Sequence, residues 1–181
     1  MKYLILVSLL SAATGCLLVA KEQRNRAWSI SQHAAASERF ILYVILRGIG
    51  LLSFYIFMRT HFMPAFSLPL SFHILLLVGL GGDFIGLFIK EDDGLRGKIH
   101  RVFAYTMAAS LPALLGLFLA LTHVGIISRV IIAGAMLWLI AAVASLVFGW
   151  QHVWRNYLYY QSFYIILFFI AIIAATFMPN V

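Results

Sequence analysis

"GLGGDFIGLFIKEDDGLRGKIHRVFAY", residues 79–105, passes from one apolar run through a charged stretch into a second apolar run. The two runs read as the end of one membrane helix and the start of the next. "KEDDGLRGK" reads as a solvated turn between them, with Gly94 and Gly97 supplying flexibility. Asp83 is the residue that needs a reason. It stands among glycines and phenylalanines, and an Asp at a helix centre costs about 2.5–3.5 kcal/mol on insertion scales.

The rest of the chain agrees with a membrane setting. Of 181 residues, 64% are hydrophobic and 10% charged, and mean hydropathy is +1.00. A soluble domain carries about 45–50% apolar and about 25% charged residues. So much apolar side chain does not fit inside a soluble core of this size. The fold class is therefore all-α: a polytopic membrane protein in a single integral membrane domain, residues 1–181. Crossing a bilayer takes about 20 apolar residues. Six stretches qualify, 3–20, 40–58, 70–89, 102–122, 126–150 and 157–178, which predicts a six-helix bundle. The linkers are too short for a second domain.

Charge sets the expected orientation. The linkers 21–39, 90–101 and 151–156 carry nine Lys and Arg residues, against Lys2, Arg59 and Arg129 on the other side. The positive-inside rule places those three linkers in the cytoplasm and both termini outside, in a bacterial-type inner membrane. Trp150, Trp154, Tyr157, Tyr159 and Tyr160 would form an interfacial belt at the last span. The net charge of +7 therefore points to lipid head groups as partners and not to nucleic acid. The single cysteine, Cys16, excludes a disulfide or a thiolate metal cage within one chain. "MKYLILVSLLSAATGC" resembles a short signal peptide, but apolar residues continue past Cys16, and a retained first helix is the reading kept.

Arg47 answers Asp83. It lies eight residues into the second span, roughly 12 Å from the cytoplasmic edge, and Asp83 lies seven residues before Lys90, roughly 10 Å from the same edge. Antiparallel spans put the two at one depth, which predicts a buried Arg47–Asp83 ion pair. Gly79, Gly82 and Gly86 share one face, as close helix packing requires. Pro112 removes a backbone hydrogen bond within the fourth span, and Ser110 is the expected group to satisfy the freed carbonyl. Trp138 reads as packing. Ser29 and Gln32 have capping-box spacing, so 29–39 reads as a short helix leading into the second span.

The histidines divide into His33, His100 and His152 on the cytoplasmic side and His61, His73 and His123 on the other. With Ser37 and Asp92, the first three make a candidate polar or metal cluster. Three imidazoles and a nearby carboxylate suit zinc with an open position for water. No HExxH-type motif is present, and interfacial histidines bonded to head groups or loop backbone are the favoured reading. Haem is disfavoured, because it is held between histidines on facing helices and these lie at helix ends. No cofactor is assigned.

The order "WSISQHAAASE", an apolar span, "GGDFIGLFIKEDD" and "GKIHRVFAY" resembles bacterial membrane proteins grouped as domain of unknown function 998. The matching positions are Ser29 and Ser31, Asp92 or Asp93, and His100. The resemblance implies the six-helix layout over about residues 1–175 and carries no activity. More distantly, the chain is similar to the membrane hydrolase superfamily that includes alkaline ceramidases. That likeness would assign Ser37 or Ser31, Asp83, His33, His100 and His152 to one site.

Three functions stay open at this point. The leading one is binding of a lipid or other amphiphile at the polar cluster near the cytoplasmic face. The second is a zinc-dependent lipid hydrolase. The third is a proton-coupled transporter or channel subunit, for which this short chain would need a homo-oligomer. Whether it is an enzyme stays open with them.

Overall fold

The computed structural model describes residues 2–20, 27–89 and 94–180. The described residues are almost entirely helical. The long helices are α1 (Leu4–Ala20), α3 (Phe40–Phe57), α5 (Leu70–Phe88), α6 (Leu95–Leu121), α7 (Ile126–Val147) and α9 (Tyr157–Phe177). Short helices α2 (Ile30–Ala36), α4 (Met63–Ala65) and α8 (Gln151–Arg155) lie between them.

Five helical stretches are long and apolar enough to cross a membrane: Phe40–Ala65, Leu70–Phe88, Leu95–Leu121, Ile126–Val147 and Tyr157–Phe177. They make a helical bundle consistent with a multi-pass membrane protein. Their outer faces carry large apolar side chains, among them Ile41, Val130, Leu137 and Val147, each more than half exposed. Such faces suit lipid as the surrounding solvent. The first helix, α1, has 17 residues and is apolar but shorter than those five.

Two expected boundaries move. The second span does not stop near residue 58. It runs on through a π-helical turn, Met58–Phe62, into α4. The stop comes at Ser67, which has φ +50°. Leu68 N–H donates to Met63 O at 3.0 Å and Ser67 N–H to Pro64 O at 3.2 Å. That is the Schellman arrangement, with a left-handed residue closing the helix; Pro69 then ends any continuation. The other shift is at α6, which starts at Leu95 and not near residue 102. Gly94 ends the turn as the N-cap residue, and Arg96, Lys98, His100 and Arg101 are helical. Helical spacing, not loop geometry, therefore aims His100.

Packing follows the small residues. α1 lies chiefly on α3, α5 on α6, and α7 on both α6 and α9. Gly79, Gly82 and Gly86 are all buried on the α5–α6 face. At Gly82 a Cβ would sit 3.0 Å from Phe103 O on the facing backbone, so any side chain there would push the two helices apart by a few tenths of an ångström. Phe54, Phe57, Phe62, Phe66, Phe118, Phe168 and Phe169 stack into an aromatic core. Its centroid distances run from 4.9 Å (Phe66–Phe118) to 6.4 Å (Phe54–Phe57). Trp138 packs edge-on against Phe163 at 4.7 Å.

Pro112 sits inside α6 without breaking it. Proline has no N–H, so the carbonyl of Ala108, four residues earlier, loses its helical partner. Tyr164 of α9 supplies the donor, its hydroxyl bonding to Ala108 O. Ser110 does not serve this role, since its hydroxyl donates to Met107 O at 2.9 Å. The phenol from a neighbouring helix replaces the expected local serine.

Candidate functional site

α2 is a short helix held at both ends of its first turn. Ser29 is its N-cap: Gln32 N–H donates to Ser29 Oγ at 3.0 Å, and Ser29 N–H donates to Gln32 Oε1 at 2.8 Å. This reciprocal capping box satisfies two of the free N–H groups at a helix start. Ile30 N–H then donates to Gln161 Oε1 of α9 at 2.7 Å. α2 is thereby tied across the open end of the bundle, beside the starts of α3, α6 and α9 and the end of α5.

Beneath it lies the ion pair. Arg47 Nη2 donates to Asp83 Oδ2 at 2.7 Å, with side-chain exposures of 12% and 18%. Arg47 lies seven residues past the start of α3 at Phe40, and Asp83 five before the end of α5 at Phe88. These positions give the matching depth that the sequence implied. The bond uses one of the guanidinium's five N–H donors.

His100 is nearly buried, at 6% exposure. Its Nδ1 faces Ile89 O at 2.8 Å and Gly86 O at 3.0 Å, the carbonyls at the C-terminal end of α5. Carbonyls only accept, so Nδ1 carries the proton and donates to both. Nε2 is left as the ring's variable nitrogen, and it lies 2.9 Å from Ser31 Oγ. Ser31 Oγ is also 3.2 Å from Ser29 Oγ.

These groups border one cavity of about 650 Å³, counting its open mouth, with Ser31, Tyr43, Arg47, Asp83, His100 and Gln161 as its polar lining. A second, mostly apolar cavity of about 480 Å³ adjoins it between α1, α3, α5, α6 and α9. The two share Arg47, Asp83, Met107 and Ile165. The ion pair thus borders both a chamber that carries several polar groups and one that is almost wholly apolar.

The candidate cluster of His33, His100 and His152 is not assembled among the described residues. Among the described residues, no three of His, Cys, Asp and Glu gather as a metal-holding group. His33 is buried beside Trp28, with ring centroids 5.4 Å apart. His152 is exposed near Tyr160, at 6.2 Å. Ser37 caps the end of α2 and accepts from Arg39 N–H at 3.0 Å, turned to local backbone work. Asp92 lies outside the described residues. His100 meets Ser31 in place of the other histidines, because both of its nitrogens are directed by α5 and α2. Gln161 and Tyr43 were not singled out by the sequence. Gln161 had one signal, a lone amide in an apolar helix start, where only an internal partner would satisfy it. The chain matches no family model, no curated protein and no solved structure.

Proposed function

We propose that the protein binds a membrane amphiphile, with its polar head in the chamber lined by Ser31, Arg47, Asp83 and His100 and an apolar chain in the adjoining cavity. One observation carries this reading: a polar cavity and an apolar cavity meet at the Arg47–Asp83 pair. Ligand sites are commonly concave and mostly apolar with a few placed polar groups. The chamber offers a cation, an anion, hydroxyls and an amide, so a head with both donors and acceptors suits it, as in an ethanolamine or glycerol phospholipid.

The same reading places the chain in a bacterial-type inner membrane. α1 is the sixth span, both termini face outward, and the chamber opens toward the cytoplasmic side. The nine Lys and Arg residues of the three basic linkers support that orientation. They also draw anionic lipid to the same face. The layout likeness to the domain-of-unknown-function 998 proteins belongs to this proposal and adds no activity to it.

Native mass spectrometry of the full chain in mild detergent, with added phosphatidylethanolamine and phosphatidylglycerol, tests it. Leu80→Trp fills the apolar cavity and should remove bound phospholipid. Leu77→Trp, on the exposed face of the same helix, should leave it. Equal retention by both variants would refute the site.

A further inference from the structure

The contact between Ser31 and His100 has the form of a nucleophile and its general base. A serine hydroxyl is a poor nucleophile until a base takes its proton, and the base works only if its ring is held in the correct tautomer. Both conditions are met in the geometry. His100 Nδ1–H is fixed by Ile89 O and Gly86 O at 2.8 and 3.0 Å, so Nε2 is the basic atom, and it lies 2.9 Å from Ser31 Oγ. Where a catalytic triad uses a carboxylate, the end of α5 supplies carbonyl oxygens.

The surroundings leave space on both sides of Ser31 and His100. Ser31 and His100 line the polar chamber on one side and a smaller cavity on the other, which Arg101 and Tyr157 also border. The smaller cavity has room for a water molecule. An ester can therefore approach from the chamber and water from the other side.

We infer that Ser31 and His100 form a catalytic dyad that hydrolyses a carboxylic ester of a membrane amphiphile, an inference that rests on the amphiphile site proposed above. Ser31 Oγ bonds to the ester carbonyl carbon and its proton passes to His100 Nε2. The ester C–O bond breaks, and the departing alcohol oxygen takes that proton from Nε2. Water then attacks the acyl–Ser31 ester and gives a proton to Nε2. The acyl–Oγ bond breaks, Oγ recovers the proton, and the fatty acid leaves.

An alkyl fluorophosphonate, which phosphonylates activated serines, tests the dyad on the full chain in mild detergent, with the labelled peptide identified by mass spectrometry. Ser31 should carry the label, and Ser31→Ala should lose it. His100→Gln should slow labelling at least tenfold, since general-base catalysis contributes about 10²–10⁴-fold. Ser162→Ala, whose hydroxyl only meets Leu158 O, should label as the unaltered protein does. Phospholipid adducts in native mass spectra report the fold and the amphiphile site separately. Adducts without a label on Ser31 overturn the dyad and leave the amphiphile site standing. A His100→Gln protein that keeps its adducts and labels at the unaltered rate also overturns the dyad. Label on Ser31 without any adducts supports the dyad and removes the amphiphile site.

Discussion

Removing one member of the Arg47–Asp83 pair should be costlier than removing both. The two side chains are 12% and 18% exposed and meet at 2.7 Å, so neither is well hydrated when left alone. Breaking a buried pair from one side typically costs about 3–5 kcal/mol, because a charge is stranded. Replacing both members by uncharged groups is often close to neutral. Asp83→Asn strands the guanidinium, and Arg47→Leu strands the carboxylate. Each should lower stability by about 3 kcal/mol or more, and the double variant should lie within about 2 kcal/mol of the unaltered protein. The coupling in the cycle should then be at least about 4 kcal/mol in magnitude, above the usual range of about 0.5–3 kcal/mol for residues in contact. Reversible unfolding in mixed micelles, titrated with a denaturing detergent and read by circular dichroism, gives the four values. A coupling under about 0.5 kcal/mol, with the double variant as unstable as the two singles added together, would refute the reasoning.

Other perturbations test other parts of the fold. Tyr164→Phe removes the donor to Ala108 O beside Pro112 and should cost about 1–3 kcal/mol in the same unfolding assay. Gly82→Ala forces a Cβ to 3.0 Å from Phe103 O and should destabilise by about 1–3 kcal/mol. Gly81→Ala, which would meet nothing within 4 Å, should be neutral or stabilise by up to about 1 kcal/mol through helix propensity. Ser29→Ala removes the α2 cap and should cost about 0.5–2 kcal/mol, read as faster hydrogen exchange at Ile30–His33.

The bundle was legible in sequence because membrane helices announce themselves by apolar length. The ion pair was legible too, because two intramembrane charges at one depth have few other solutions. Two boundaries were not. The continuation to Ala65 depends on a polar-looking "MRTH" staying helical until Ser67 adopts a left-handed conformation, and no glycine marks that stop. The early start of α6 depends on "LRGK" being helical, where its charges read as loop. The site was half legible. Asp83, Arg47, Ser31 and His100 were all noted, but the sequence grouped His100 with His33 and His152. Which histidine meets which partner depends on helix rotation and order around the bundle, and spacing within one helix fixes neither. Tyr164 was missed for the same reason: its phenol meets Ala108 from another helix, and no local pattern records that.

The amphiphile site is tested most directly by a phospholipid carrying a photoreactive diazirine at the end of one acyl chain. The protein is illuminated in bilayers and the crosslinked residues are identified by mass spectrometry. Adducts should concentrate on Leu80, Leu111 and Phe168, which line the apolar cavity next to Arg47 and Asp83. Adducts confined to the outward faces, at residues such as Ile41, Leu77 and Ile166, would contradict the site.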